Sequence, residues 1–355
     1  MKTFKKITTA ILAIILLALT SCSKDDGPSP QPQNPVNVYV AGYITAEANV
    51  QAMALWKNGE LTQLTSGAFN ATATGVYAQG DDVYVIGRQE DGVSPNAKIV
   101  VYKNGNLHQT LTDGTTFSLP FDIKIANNKV YVAGYERDTN GIDIAKVWVD
   151  GTATNLTDGT NKAYASGIAV ASSGRVYISG AETNGTVNEA MLWNLNNGTT
   201  TNLTENSTYG ASANAVFVDG NDIYVVGSEN NGTHNEAVLW KNTEKTVLLN
   251  EGNISNGQDV FVANNKVHIV GTELVDGEGI YGKLIINNEV TNLNTSDELF
   301  LRKVWVQGND VYATGQLKQA EEIQAVVFKN GEMTTLSEAN VQATAAGLFV
   351  QEIVE

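Results

Sequence analysis

The 355-residue sequence has a single cysteine, Cys22, and only three histidines, His108, His234 and His268. One cysteine cannot form an intramolecular disulfide or a cysteine-based metal site. No Gly-x-Ser-x-Gly, His-Glu-x-x-His or phosphate-binding glycine motif occurs. Residues 138–143 are similar to a calcium loop but lack its terminal glutamate. We therefore predict no cofactor, no metal site and no catalytic residue set, which favours a protein without enzymatic activity.

Positive charge is also scarce. The chain has 22 lysines and arginines against 38 aspartates and glutamates, for a formal net charge of −16. Residues 1–21 hold three of the lysines and no acid, so the remainder carries 19 − 38 = −19. An acidic chain of this kind repels nucleic acid and anionic membrane surfaces. We expect no nucleic-acid partner, and we expect a monomer.

The N-terminus carries the pattern of an export signal. Three lysines precede an apolar stretch at residues 7–19, which is too short to span a bilayer comfortably. Leu19-Thr-Ser-Cys22 then resembles the lipobox of bacterial lipoproteins. This resemblance implies a signal peptide at residues 1–21, lipidation of Cys22 and membrane attachment through the lipid anchor only. The alternative is an ordinary secretory signal with an incidental cysteine.

Residues 22–35 follow the predicted cleavage site and hold four prolines, which is typical of an extended tether. Ser23 stands where an aspartate would resemble an inner-membrane retention signal. We therefore predict an outer-membrane protein, and the acidic residues after Ser23 favour its exposure on the cell surface. The other interpretation of those acidic residues is the start of a solvated spacer.

A repeat fills the rest of the chain. A phrase close to Val-Tyr-Val-x-Gly recurs at spacings of 44 to 47 residues, with its glycine at Gly42, Gly87, Gly134, Gly180, Gly227, Gly271 and Gly315. A fixed period of this length indicates a repeat architecture. Each complete unit predicts four short strands joined by Asn/Gly-rich turns. The strands are apolar at consecutive positions, so both faces of each sheet must be buried, as in the radially stacked blades of a β-propeller.

The two ends of the repeat region are complementary. The first unit has only three strands, whereas residues 347–351 form a lone first strand after the last complete unit. Pairing that strand with the three N-terminal strands would close the ring and remove its exposed edges. We therefore predict an all-β fold: one seven-bladed β-propeller of four-stranded antiparallel blades over residues 36–355.

The third and fourth strands carry a second recurring phrase. Leu-Trp-x-Asn-Gly-x-x-x-x-Leu occurs at residues 55–64 and in part at residues 192–203. This phrase resembles the extracellular HAF-type repeat, although Tyr102, Ile285 and Phe328 replace its tryptophan in other units. The resemblance implies an extracytoplasmic propeller and no particular ligand.

Candidate binding residues gather at one end of the predicted ring. The tight turns share one end, here called the turn face, and the longer second-to-third and blade-to-blade loops share the other, called the loop face. Loops on a rigid scaffold are where binding residues concentrate. Five blade-to-blade loops carry an aromatic residue: Phe69, Phe117, Tyr164, Tyr209 and Phe300. Near the innermost strands, charged residues are expected to line the central channel: Asp122, Lys124, Asp259, Arg302 and Lys303.

These ten residues are the predicted ligand-binding set. Aromatic rings around one opening could stack on sugars or hold a peptide; the competing interpretation is that each ring covers its own loop and the channel charges form structural pairs. The leading functional hypothesis is a non-catalytic lipoprotein that binds a glycan or a protein partner on the loop face. The alternatives are a polysaccharide lyase or glycosidase that uses the channel carboxylates, and a structural subunit of an outer-membrane assembly.

Overall fold

The structure is a computed structural model that describes residues 34–46, 49–205, 207–249, 252–294, 297–338 and 340–353. The predicted signal peptide, Cys22 and most of the predicted tether lie outside these residues. No helix among the described residues is long and apolar enough to span a bilayer. Residues from Pro35 onward form one compact unit.

The described residues form 28 strands. The chain begins with β1 (Val36–Thr45), β2 (Gln51–Lys57) and β3 (Glu60–Gln63). It continues with β4 (Ala71–Gln79), β5 (Asp82–Gln89), β6 (Lys98–Lys103) and β7 (Asn106–Thr110). Next are β8 (Ser118–Ala126), β9 (Lys129–Arg137), β10 (Asp143–Val149) and β11 (Thr152–Asn155). The central part holds β12 (Ala163–Val170), β13 (Val176–Thr183), β14 (Asn188–Asn194) and β15 (Thr199–Asn202).

The second half repeats the same unit. It contains β16 (Ala211–Asp219), β17 (Asp222–Asn230), β18 (Asn235–Lys241) and β19 (Glu244–Val247). Then come β20 (Ile254–Ala263), β21 (Lys266–Val275), β22 (Gly279–Ile286) and β23 (Glu289–Asn292). The last strands are β24 (Glu298–Gln307), β25 (Asp310–Gln319), β26 (Glu322–Lys329), β27 (Glu332–Thr335) and β28 (Ala343–Glu352).

These strands make seven four-stranded antiparallel sheets. Six sheets are meanders of four consecutive strands, and the seventh has the order β28-β1-β2-β3. β28 pairs with β1 from Val36–Glu352 to Ile44–Ala343. The predicted seven-bladed propeller is therefore confirmed, including its closure by one C-terminal strand and three N-terminal strands.

The tight turns have the backbone geometry that their sequences predict. Asn58 and Gly59 between β2 and β3 have φ of 53° and 86°, as a type I′ turn requires at both central positions. Gly80 and Gly220, between first and second strands, have φ of 59° and stand at the first central position, as in a type II′ turn. These turns fix the register of each hairpin.

The hydrophobic core lies between the blades and not at the centre of the ring. Among the described residues, seven buried clusters each join two adjacent blades. Met53 packs with Val85 across one such interface, and Trp56 packs with Tyr312 across another. This arrangement explains the consecutive apolar residues, because each face of a blade is buried against a neighbour.

Every innermost strand has a β-bulge at the same place. In six blades the bulge falls between the residue pairs Ala73/Gly75, Pro120/Asp122, Ala165/Gly167, Ala213/Ala215, Gly257/Asp259 and Leu301/Lys303, and in the seventh it lies between Ala345 and Gly347 of β28. A bulge bends the strand and redirects its side chains. Two consecutive residues, such as Arg302 and Lys303, consequently both reach the central channel.

Candidate functional site

The central channel contains two cavities in series. The mouth cavity, of about 480 Å³, lies at the loop face, where the innermost strands begin. The inner cavity, of about 300 Å³, lies toward the turn face. Lys303 lines both cavities and marks the boundary between them.

Polar, uncharged side chains dominate the mouth cavity. Its hydroxyl and amide groups come from Tyr43, Thr72, Thr74, Tyr164, Ser166, Asn214, Gln258, Gln316 and Thr344. Asn214 is held in place because its amide donates to Asn256 Oδ1 (2.7 Å) and to the carbonyl of Gly257 (2.8 Å) in the next blade. The cavity thus offers many hydrogen-bond donors and acceptors on a rigid ring.

Lys303 lies between two carboxylates at the boundary. Its Nζ is 3.7 Å from Asp122 Oδ1 and 3.7 Å from Asp259 Oδ1. The second oxygen of Asp122 accepts a hydrogen bond from the Ile168 N–H (3.0 Å), and that of Asp259 accepts one from Val304 (2.9 Å). Each carboxylate therefore ties its own blade to the next blade, in addition to facing the lysine.

The two carboxylates differ in their proton affinity. Burial would raise the pKa of Asp122, but Lys303, Lys124 and the N–H of Ile168 favour its ionised form and hold the pKa below the usual value. Burial raises the pKa of Asp259 above its usual value, and the attraction of Lys303 does not offset that effect. Asp122 is thus the principal counter-ion of the lysine.

Isosteric replacement of the two carboxylates should therefore have unequal effects. We expect Asp122→Asn to lower the free energy of unfolding at pH 7 by about 1–3 kcal/mol, because a hydrogen-bonded charged group is lost. Asp259→Asn should leave the free energy of unfolding unchanged or raise it, because the fold disfavours the ionised form at that position. Urea denaturation of both variants measures the difference; equal losses would contradict the assignment.

The pH dependence of this difference follows from the sign of the shifts. A depressed folded-state pKa means that ionised Asp122 stabilises the fold above the unfolded-state pKa of about 3.9, and that this contribution is lost as the pH falls through the folded value. The raised pKa of Asp259 has the opposite sign, since its protonated form is favoured in the fold. The difference in the free energy of unfolding between Asp122→Asn and Asp259→Asn should be present at pH 7 and become smaller below about pH 4.

An arc of aromatic rings surrounds the inner cavity near the turn face. Successive ring centroids are 4.3 to 4.8 Å apart around four contacts: Phe217–Phe261, Phe261–Trp305, Trp305–Phe349 and Phe349–Tyr77. The interplanar angles of about 50° are those of tilted aromatic pairs. We call these five residues the aromatic arc.

Lys124 occupies the equivalent position in another blade and extends into this arc. Its Nζ lies 5.7 Å from the ring centre of Tyr77 and 5.9 Å from that of Trp305. Both distances are in the range of cation–π attraction. Lys124 therefore helps to fill the turn-face end of the channel.

The other predicted residues are dispersed over the loop face. Phe69 and Tyr209 are about half exposed, and their rings lie over Gly92 and Gly232 in the second-to-third loops of their own blades. The ring of Phe117 contacts two arginines, with its centre 4.5 Å from the Arg88 guanidinium and 5.2 Å from that of Arg137. Phe300 is half-buried and lies outside the lining of both cavities.

Of the ten predicted residues, the structure brings together Asp122, Asp259 and Lys303, and it places Arg302 and Tyr164 in the adjoining mouth cavity. The polar lining of the mouth cavity and the aromatic arc were not predicted from the sequence. A signal for the arc exists in the sequence, because most of its members stand three residues before the first turn of the blade, as Phe217 does before Gly220.

The histidines are not assembled into one site. His268 is buried, and burial lowers its pKa. His234 lies on an exposed loop, where its Nδ1 is 2.9 Å from the hydroxyl of the adjacent Thr233. His108 contacts the edge of Tyr84. Within the described residues, no group of three His, Cys, Asp or Glu side chains is arranged to hold a metal ion.

Comparison with known proteins places the fold among propellers of peptidases. No family model and no curated protein matches the chain. A puromycin-hydrolysing peptidase of Mycobacterium tuberculosis is similar over 83% of this chain and 53% of its own, with 10% identity and a TM-score of 0.57. A puromycin hydrolase is similar over 84% of this chain and 52% of its own, with 11% identity and a TM-score of 0.59.

The β-propeller domain of the Trilobed protease from Pyrococcus furiosus is also similar, at 12% identity and a TM-score of 0.51, over 87% of this chain and 96% of its own. The chain spans about half the length of the first two peptidases. At these identities the likeness shows the fold alone.

The comparison contradicts the predicted function. The similar propellers belong to peptidases, so the hypothesis of a non-catalytic module that binds a glycan or a protein partner is wrong, and its two alternatives are not retained. The prediction relied on the absence of catalytic motifs. The absence of catalytic motifs did not predict the function well, because this chain is similar to only about half of each puromycin-hydrolysing protein.

Proposed function

We propose that this protein is a peptidase-related propeller that receives a peptide in its mouth cavity and presents it for hydrolysis by a peptidase catalytic unit. The polar lining of the mouth cavity carries the proposal. A peptide in an extended conformation has one N–H donor and one carbonyl acceptor per residue that need partners when it leaves water. The mouth cavity supplies both kinds of group from all parts of its lining.

The size and depth of the cavity also suit a peptide. A volume of about 480 Å³ lies within the range of small-ligand sites. Below it, Lys303 and its two carboxylates form the boundary to the inner cavity, and Lys124 and the aromatic arc follow. A peptide entering from the loop face would therefore be bound by its end, with the rest of its chain directed outward.

The predicted location belongs to this proposal. The lipobox-like Leu19-Thr-Ser-Cys22 and the HAF-like repeats support a lipid-anchored protein at the outer membrane. A propeller held there would meet peptides outside the cytoplasm. The partition of the intact protein and of a Cys22→Ala variant between membrane and soluble fractions tests this part: loss of membrane attachment in the variant supports it, and unchanged attachment contradicts it.

Peptide binding should stabilise the fold measurably. A ligand at about a hundred times its dissociation constant adds about 2.7 kcal/mol to the free energy of unfolding. We expect the melting temperature of the intact protein to rise with tetra-alanine or a casein digest and to stay constant with soluble polysaccharides. Asn214→Ala, which removes an amide from the mouth cavity, should reduce the rise.

Phe69→Ala is the matched control, because Phe69 lies on the loop face but outside the cavity. It should leave the peptide-dependent rise unchanged. A rise with polysaccharides alone, or a rise that Phe69→Ala removes and Asn214→Ala does not, would contradict the proposal. Slower release of fluorophore from peptide substrates by membranes that lack the protein would link the binding to hydrolysis.

A further inference from the structure

We propose that the mouth cavity recognises the terminal α-carboxylate of a peptide through Arg302. The inference rests on the proposed function for the class of ligand and adds the group that is recognised. Its basis is an arginine in the cavity wall that has no acidic partner among the described residues.

Arg302 is the bulged residue of β24, one position before Lys303. Its side chain is exposed in the mouth cavity near Tyr43, and desolvation by the surrounding wall lowers its pKa. An arginine pKa starts so high that the group stays protonated at neutral pH. Among the described carboxylates, none lies within ion-pair distance of this guanidinium.

Some exposed cations of this acidic chain form ion pairs. Arg137 pairs with Asp143 at 2.7 Å, and Lys318 pairs with Glu298 at 3.0 Å. Arg88 and Arg175 also lack an ion pair with a described carboxylate, but of these three arginines Arg302 alone lines the mouth cavity. Among the described residues its N–H donors have no hydrogen-bond partner, so they can bind an acceptor that enters the cavity.

The charge of the channel lining favours an anion. The two cavities contain three cations, Lys124, Arg302 and Lys303, and two carboxylates, Asp122 and Asp259, which gives 3 − 2 = +1. The whole chain has a net charge of −16. A small positive region inside a negative protein attracts a carboxylate into the channel, while the outer surface repels it.

The two carboxylates do not hold Lys303 by short hydrogen bonds. The 3.7 Å distances from Lys303 to Asp122 and Asp259 are longer than direct charge-assisted hydrogen bonds. Lys303 also lines the mouth cavity, so it adds positive charge at the cavity floor beneath the ligand. The planar guanidinium of Arg302 matches a carboxylate with two parallel hydrogen bonds.

A terminal carboxylate fits this arrangement better than a side-chain carboxylate. The amides and hydroxyls around Arg302 suit the backbone groups of the last residues of a peptide. Lys303 and its two carboxylates form the boundary between the mouth cavity and the inner cavity, which favours the end of a chain over a chain that continues past them. A peptide end therefore suits both the positive charge and this boundary.

The test is isothermal titration of the intact protein with tetra-alanine, tetra-alanine amide and the amidated peptide Ala-Ala-Ala-Glu. We expect amidation of tetra-alanine to weaken binding by tenfold or more, because the charged hydrogen bonds to Arg302 are lost. The amidated glutamate peptide should bind like tetra-alanine amide. Arg302→Gln should reduce the affinity for tetra-alanine to that for tetra-alanine amide. Arg302→Lys should restore only part of the difference between the two affinities.

Arg175→Gln is the control for a general loss of positive charge, because Arg175 is exposed on the turn face and contacts Ser173. It should leave all three affinities unchanged. Equal binding of tetra-alanine and its amide to the wild-type protein would overturn the inference but keep the proposed function. If amidated Ala-Ala-Ala-Glu binds as tightly as tetra-alanine or more tightly, the site does not select the α-carboxylate, and this part of the inference is overturned.

A further titration, with small anions, tests the carboxylate site independently of the proposed peptide-binding function. If none of the peptides binds, the peptide function fails, and titration with acetate and succinate then tests the carboxylate site alone. Binding of these anions that Arg302→Gln abolishes and Arg175→Gln preserves would support a carboxylate site of another function. No such binding would overturn the inference as well.

Discussion

Gly227→Ala is expected to lower the free energy of unfolding by at least about 4 kcal/mol, which is exceptional for the addition of one methyl group. A Cβ at Gly227 would overlap the carbonyl oxygen of Ser212 and approach the Cα of Ala213 within 3.1 Å. Both atoms are backbone atoms of β16, so no side-chain rotation relieves the clash. The two strands would have to separate, which disturbs the bulge and the packing between blades.

The same close approach occurs in every blade. A Cβ at the repeat glycine would overlap the carbonyl oxygen of the innermost strand at Thr344, Thr72, Leu119, Tyr164, Ser212, Asn256 and Phe300. The glycine therefore recurs because the strand before the bulge crosses over it. The spacing of the repeat glycines gives the length of one blade. Because glycine has no side chain, the two strands can approach closely at this position.

Gly210 provides the control within the same blade. It precedes β16, and a Cβ added there meets no atom within 4 Å. Gly210→Ala should change the free energy of unfolding by less than about 0.5 kcal/mol or stabilise the fold slightly through the unfolded state. Urea denaturation of both variants gives the comparison. Similar, small effects at Gly227 and Gly210 would show that the strands accommodate the methyl group.

The fold was predictable because its signals are local and repeated. The glycine spacing, the Asn-Gly turns and the consecutive apolar residues all indicate stacked four-stranded sheets, and the complementary ends indicate ring closure. The strand Ala343–Glu352 pairs with the strand Val36–Thr45 as this reasoning requires. Few other arrangements bury both faces of every sheet and also leave no free strand edge at the ends.

The site was only partly predictable, because it depends on the bulge. A regular strand would direct Arg302 and Lys303 to opposite faces, whereas the bulge lets both reach the channel. Their charge suggested a channel position, but nothing local distinguishes the mouth from the boundary. The positions of the loop aromatic residues could not be predicted from the sequence either. Tyr164 lines the mouth cavity, whereas Phe117 contacts two arginines from neighbouring blades.

A buried ion pair in the blade formed by β20 to β23 shows how a charged residue can belong to the scaffold. Lys283 Nζ is 2.5 Å from Glu273 Oε2, and the two side chains are 8% and 2% exposed. Lys283 lies opposite the repeat glycine Gly271. Lys146 lies opposite the repeat glycine Gly134 in the blade formed by β8 to β11, and it pairs with Glu136. The recurrence of the pair at one position of the repeat indicates a structural role.

Removing one partner of this pair should be strongly destabilising. Lys283→Met leaves Glu273 buried, and the amide of Asn253 at 3.2 Å is then its one side-chain hydrogen-bond donor among the described residues. We expect the free energy of unfolding to fall by about 3–5 kcal/mol, the cost of an uncompensated buried charge. Lys318→Met removes a cation from an exposed pair of 47% and 36% exposed side chains and should cost less than about 1 kcal/mol.

The double variant Glu273→Leu/Lys283→Met distinguishes the value of the pair from the penalty of breaking it. Apolar side chains of similar volume avoid the desolvation of both charges, so the double variant should recover most of the stability that Lys283→Met loses. Urea denaturation of the single and double variants completes the cycle. If the double variant is as unstable as the single one, the pair itself stabilises the blade, and the buried charge is not the dominant cost.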